Sequence, residues 1–306
     1  MIYAMVVAGL LSRPALHAQD RHEFSVYGGG GLSSLKYEAP ANERKDGFGG
    51  QFGLGYKFFF SPNWGLGTGA EMALYKTVFN PDNIGTRYMA TDTDGDAFEF
   101  RSELNGYEEK QKALLLQIPL MLQYQTGNRH KFYAAAGGKI GFPLSGKYGS
   151  SSASIRNSGF YAEENYEYTT QEFMGFGAFP VKDYDGSLKF KAAFFASAEA
   201  GVKWKLNGGL SLYTGAYLDY GLNNIYKESG AARQFVAYNS ESPRDFTVNS
   251  VLNSQYAQNG VPQAFTGKIT PVAAGIKISL AFGIGSTAKK KAAHIPPVAD
   301  NMATGE

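Results

Sequence analysis

The sequence predicts an all-β protein: an eight-stranded antiparallel transmembrane up-and-down β-barrel with short periplasmic turns and long extracellular loops. Three observations predict it. Eight segments alternate apolar and other residues with period two, as strands with unlike faces do. The connections between them alternate tight and long, which is the habit of outer-membrane barrels. The composition agrees: 306 residues carry 38 Gly, 20 Tyr and 22 Phe, with 18% charged residues. Glycine is enriched over a usual share of about 7% and charge is depleted against about 25%.

Residues 1–18 read as a signal peptide, with an apolar run from Met1 to Leu11 and cleavage after Ala18. The alternative is a buried N-terminal strand or helix, because no basic residue precedes the run and Leu16 is large for its position. Past this point no apolar run approaches the 18 or so residues of a spanning helix. The barrel is assigned to residues 19–285.

The eight segments are His22–Tyr37, Phe48–Phe60, Trp64–Phe79, Ala113–Gln125, Lys131–Tyr148, Leu188–Leu206, Leu210–Tyr226 and Gly267–Phe282. In the second, Phe52, Leu54, Tyr56 and Phe58 share one face, opposite Gln51, Gly53, Gly55 and Lys57. In the sixth, Ala196, Ala198, Ala200, Val202 and Trp204 oppose Ser197, Glu199, Gly201 and Lys203. Tight turns fall at Ser61-Pro62-Asn63, Thr126-Gly127-Asn128-Arg129 and Asn207-Gly208-Gly209. Long polar stretches cover 38–47, 80–112, 149–187 and 227–266. Loops so long count against a soluble domain.

The less apolar face carries Glu71, Lys139, Glu199, Lys203, Asp219 and Lys277. Inside an eight-stranded barrel these six would form a charge network across a lumen that side chains fill. A soluble sandwich or lipocalin would turn the same face to water, and periodicity alone does not say which face points out. Trp64, Trp204, Tyr124 and Phe132 flank the short turns and form the expected aromatic girdle at the periplasmic interface. Pro119 lies mid-strand in the fourth segment without an N–H to donate, so a bulge or a local break in pairing is expected there.

The run Leu116-Gln117-Ile118-Pro119-Leu120-Met121-Leu122-Gln123-Tyr124, a short turn, then Phe132-Tyr133-Ala134-Ala135-Ala136-Gly137 resembles the PorT-like outer-membrane β-barrel family of Bacteroidetes-type bacteria. Gly275-Ile276-Lys277-Ile278-Ser279-Leu280-Ala281-Phe282 is similar to the closing-strand signal read by the barrel insertion machinery, with Ile278 where an aromatic is common. The resemblance spans roughly residues 20–285. It implies a barrel of the OmpA or OmpX kind in the bacterial outer membrane, with no catalytic residues to carry over.

The remaining chemistry is sparse. A net charge of +2 is too balanced for a nucleic-acid partner. The absence of cysteine excludes disulfides, thiolate metal sites and cysteine nucleophiles. The four histidines, His17, His22, His130 and His294, all fall outside the long loops, which removes the usual Ser-His and Asp-His designs. Asp92, Asp94, Asp96 and Glu103 occupy positions one, three, five and twelve of a calcium-loop template, with Ala97 where the template wants Gly. Calcium and a solvated acidic loop both remain open, and no other cofactor is indicated. Tyr27-Gly28-Gly29-Gly30-Gly31 lacks the following helix of a phosphate loop and reads as strand. Tyr161, Tyr166, Tyr168, Phe173, Phe176 and Phe179 either bind a partner or pack on one another. Residues 286–306, with Lys289-Lys290-Lys291 and Pro296-Pro297, read as a flexible periplasmic tail. The partners expected are outer-membrane lipid and a protein bound through the long loops. The function expected is structural or accessory, with a small-solute pore or transporter as the alternative and a membrane-embedded enzyme behind both.

Overall fold

The computed structural model describes residues 21–39, 44–127, 130–180, 183–206, 209–227, 233–258 and 261–284. The expected signal peptide and tail lie outside the described residues. Eight long strands form the wall: β1 (His22–Lys36), β2 (Phe48–Phe59), β3 (Trp64–Phe79), β4 (Glu108–Gln125), β5 (His130–Ser151), β6 (Ala193–Lys205), β7 (Leu210–Gly221) and β8 (Thr270–Ile284). Each pairs antiparallel with the next, and β8 pairs with β1 from Ile284 opposite His22 to Thr270 opposite Lys36. The sheet is closed and no barrel strand is left as an edge.

The register fixes the barrel's width. Stepping from partner to partner leads from Phe24 through Tyr56, Thr68, Leu120, Gly138, Ala196, Tyr220 and Val272 back to Ser34. The walk returns ten residues further along β1. A stagger of ten over eight strands gives a tilt of about 41° at ~3.3 Å per residue and ~4.8 Å between strands. A barrel this narrow has an interior just wide enough for side chains to fill.

Exposure settles which face points out. Leu54 is 59% exposed and Ile276 68%, whereas Glu71 is 1% and Lys139 3%. The apolar face is therefore the outer wall and the charged face the lumen, the reverse of a lipocalin. On β4 the apolar outer positions run from Leu114 to Tyr124, and Lys112 and Lys110 follow above them.

Pro119 breaks one ladder. Pairing of β3 with β4 skips Gly69 and Ala70, while Pro119 stays paired to Lys139 on the β5 side. The missing N–H thus faces β3, and Thr68 Oγ1 donates to the Pro119 carbonyl at 2.8 Å. The bulge lies elsewhere, between Leu114 and Leu115, where Leu144 is the extra residue on β5.

Strand ends differ from expectation where the chain enters or leaves the upper rim. β4 begins at Glu108 because Glu109 and Gln111 continue the inward alternation above the apolar band. β6 begins only at Ala193, since Leu188 and Phe190 leave the wall and bury in the core above the barrel. β7 ends at Gly221, where Asn223 and Asn224 bond the backbone of Ala192, Tyr226 and Ile269.

The long stretches are not structureless. Asn83–Thr91, Ala97–Asn105, Ser154–Tyr161, Tyr166–Tyr168 and Gly177–Phe179 form a five-stranded sheet above the rim. Its inner face carries Ile84, Phe98, Phe100, Leu104 and Ile155, packed with Phe176, Phe235, Val248 and Leu252 from the later loops. The loops thus share one apolar core continuous with the top of the barrel, a folded cap.

Candidate functional site

The lumen and the cap are where this chain departs from a plain barrel. Inward positions of neighbouring strands place charges in tiers. In the upper tier the Lys139 ammonium lies between Glu71 (2.5 Å) and Asp219 (2.9 Å), all three at most 1% exposed in their side chains. Tyr27 donates its hydroxyl to the other oxygen of Glu71 at 2.9 Å, and Gln117 donates to Tyr75. In the middle tier Lys277 pairs with Glu199 and sits over the Tyr27 ring. In the lower tier Lys203 pairs with Glu23, whose second oxygen accepts the Tyr213 hydroxyl. Low dielectric makes such pairs costly to break, because a partner left alone stays buried.

All six residues expected in the lumen are there. Three more belong with them. Glu23 was legible as the odd-numbered neighbour of outward Phe24. Lys57 stands on the polar face of its segment; it makes no ion pair among the described residues and donates to Gln123 Oε1 at 2.7 Å over the Tyr213 ring. Lys131 is buried beside the lower tier. Between the middle and lower tiers Ser25, Tyr27, Lys57, Gln123, Glu199 and Lys277 line a cavity of about 50 Å³, room for one or two waters.

The cap is tied to the wall by Glu109, which is fully buried on β4 just above the apolar band. Its carboxylate accepts from Ser250 Oγ (2.5 Å), Tyr107 Oη (2.6 Å), Gln111 Nε2 (2.9 Å) and the Val251 backbone N–H (3.0 Å). Burial pushes Glu109 above the ordinary carboxylate range, and these four donors offset that only in part. Across the cap sheet one row, Thr86 opposite Ser102 opposite Asn157, is buried and polar. The hydroxyls of Thr86 and Ser102 and both amide atoms of Asn157 have no hydrogen-bond partner among the described residues.

A family model described as "Outer membrane protein beta-barrel domain" matches residues 17–227. The chain belongs to that family. Its place is therefore the bacterial outer membrane. No curated protein sequence matches it. Among solved structures it is similar to Neisserial surface protein A, at 9% identity and a TM-score of 0.34, over 88% of this chain and 100% of that one. It is also similar to OprG from Pseudomonas aeruginosa, at 12% identity and a TM-score of 0.32, over 88% and 100%. A major outer membrane protein from Thermus thermophilus overlaps at 13% identity and a TM-score of 0.35, over 85% and 99%. The assignment rests on the family model and the closed barrel, not on these overlaps.

The remaining sequence candidates of this outer-membrane barrel fall as follows. Trp64 and Tyr124 are cross-strand partners with rings 5.0 Å apart. Trp204 packs at a tilt against His130 and donates its indole N–H to Thr214, and Phe132 is 65% exposed on the same end of the wall. The four acids of the calcium template are not brought together. Asp92 is buried at the cap-hairpin turn, where one oxygen accepts the backbone N–H groups of Asp94 and Asp96 and the other the Tyr161 hydroxyl. Burial raises its pKa, but these donors outweigh it and hold Asp92 below the usual carboxylate range. Glu103 lies seven residues beyond Asp96 along a strand, about 20 Å away at ~3.3 Å per residue. Among the described residues no three His, Asp or Glu side chains converge on one point. Of the aromatic loop residues, Tyr161 stacks on Phe98 in the cap core, Phe176 meets the same ring edge-on, and Phe179 packs on Phe246. Phe173 and Tyr166 stay exposed, at 74% and 56%.

Proposed function

We propose that this outer-membrane barrel is a sealed scaffold with a structural or accessory role, whose cap binds a protein partner, and that it is kin to the PorT-like barrels. The observation that carries the reading is the cross-braced lumen. Glu71, Lys139 and Asp219 bridge β3, β5 and β7 through the middle of the barrel, and the cavity beneath them is about 50 Å³. A solute path would need this cluster to part. The work of the protein is then at its outer end, where Phe173, Tyr166 and Met89 are exposed on a folded cap. Residues 1–18 are the export signal in this reading, and the mature chain begins after Ala18.

The test is purification from outer membranes in mild detergent with every co-eluting protein quantified, followed by planar-bilayer recording. A stoichiometric partner lost on replacing Phe173 and Tyr166 with serine is the expected result. Steady conductance from the purified barrel overturns the sealed scaffold and makes it a pore.

A further inference from the structure

The outer wall carries a second pattern, just above its apolar band. On β3, β4 and β5 the residues Lys76, Lys112 and Lys147 are direct cross-strand partners in a single row. All three point outward. Lys76 lies between buried Tyr75 and Thr77, Lys112 between buried Gln111 and Ala113, and Lys147 shares the face of Lys112 by pairing. Lys112 and Lys147 are exposed and Lys76 is half-buried. The row continues onto a fourth strand, where Ser187 pairs with Lys147 and Lys189, two residues on, is exposed.

Like charges directly opposite one another destabilise a sheet. Lys76, Lys112 and Lys147 make no ion pair among the described residues. The acids nearest to them are engaged elsewhere or stand one row higher. Asp46 is held by Lys36 and Arg44, Glu108 by Lys110, and Asp185 is level with Lys110. The height of the row is informative too. It lies twelve residues along β3 from the Trp64–Tyr124 pair, about 30 Å along the barrel axis at the tilt given above, which is the thickness of a hydrocarbon core. Most outward positions between are apolar, Leu66, Met72 and Leu74, then Leu120, Ile118 and Leu116, then Ile140 and Phe142, with Thr68 and Ser145 the polar exceptions. Three adjacent ammonium groups therefore sit where the acyl chains end and the headgroups of the outer leaflet begin.

We propose that the Lys76–Lys112–Lys147 row binds the phosphate groups of an anionic outer-leaflet lipid, whose acyl chains lie on the apolar columns below. A phosphorylated lipid fits both halves of the surface, the charge above and the greasy wall beneath, where a soluble anion would use only the first. Lysines with long flexible stems reach the headgroup plane from the wall, and the anion removes their mutual repulsion.

The experiment reconstitutes the full chain in nanodiscs of phosphatidylcholine with or without one-tenth lipid A, the phosphorylated glycolipid, and counts retained lipids by mass spectrometry after gentle delipidation. The comparison is the triple variant Lys76→Gln, Lys112→Gln, Lys147→Gln against the cap variant Arg87→Gln, Arg156→Gln, Arg244→Gln, which removes as much charge from exposed sites away from the wall. At about fivefold per lysine near a charged headgroup, the row is expected to account for roughly a hundredfold preference for lipid A over phosphatidylcholine. That preference should vanish in the wall variant and persist in the cap variant. Equal retention by the wall variant overturns the proposal, and so does equal loss in the cap variant, which marks general charge attraction. Displacement by millimolar inorganic phosphate assigns the row to soluble anions and overturns the lipid. Heat-dependent gel mobility confirms in each case that the barrel is folded.

Discussion

Replacing Lys139 with methionine should destabilise the barrel severely, and replacing its two partners as well should restore it. The Lys139 ammonium is the only cation within 4 Å of Glu71 or Asp219 among the described residues, and neither carboxylate has more than 1% of its side chain exposed. Removing it strands two buried anions, and breaking a buried pair costs about 3–5 kcal/mol. At an unfolding slope of roughly 3 kcal/mol per molar urea, the midpoint falls by about 1–1.7 M. The variant Glu71→Gln, Lys139→Met, Asp219→Asn removes all three charges and should regain most of the loss, because the upper tier then holds no uncompensated ion. Trp64 and Trp204, on different strands at the same end of the wall, report unfolding by fluorescence in detergent micelles. A Lys139→Met midpoint indistinguishable from the native one would mean that water already screens the lumen. A triple variant no better than the single would mean that the lysine acts by packing. Either result refutes the argument from charge.

Three further outcomes follow from the cap. Because burial raises the pKa of Glu109, its protonated form is the one the closed cap favours, so the stability it contributes is fully present below the ordinary carboxylate range and lost as pH rises through the raised value. Proteolysis within residues 227–269 should therefore slow as pH falls from about 8 to about 5, and Glu109→Gln should flatten that dependence. Millimolar calcium should leave the cap's melting temperature unchanged, since Asp92 already accepts three hydrogen bonds; Asp92→Ala should lower cap stability by about 1–3 kcal/mol, read by hydrogen exchange at residues 92–96. Thr86→Val and Ser102→Ala should be neutral or stabilising by up to about 1 kcal/mol each, because each removes a buried hydroxyl without a partner; a loss on thermal melting would show that the row is satisfied by bound water.

The wall was legible because a period of two needs only the residue order. Trp64–Phe79 has the same bounds in the sequence reading and in the structure. The lumen was legible for the same reason: once Leu54 and Phe52 point out, Gly53 and Lys57 must point in. The sequence does not say which inward charges meet. Lys139 reaches Glu71 and Asp219 across the barrel, on strands 68 and 80 residues away in sequence. The cap was missed although part of its signal was present. Phe98, Phe100, Ser102 and Leu104 alternate as cleanly as any barrel strand, but the acidic run before them invited a metal-loop reading, and their partners Phe176, Phe235 and Val248 lie in other loops. The lysine row was invisible for the corresponding reason. Lys76, Lys112 and Lys147 look unrelated until the register sets them side by side.

The pairing of β1 with β8 has a kinetic consequence. Its fifteen rungs join residues well over two hundred positions apart, from His22 with Ile284 to Lys36 with Thr270. Every other seam joins consecutive wall strands, through a tight turn or through a cap segment of fewer than 50 residues, so each closes a far shorter loop. The last seam gains nothing from proximity, and the entropy of its loop must be met before its first rung forms. An eight-stranded ribbon, curled but open, is thus the natural late intermediate of assembly, with β1 and β8 both exposing unpaired backbone. Gly31 and Gly275 face each other across this seam, where an added Cβ on either would lie within 2.3 Å of a backbone oxygen of the opposite strand. Closure therefore brings the two strands together at a point where neither has room for a side chain.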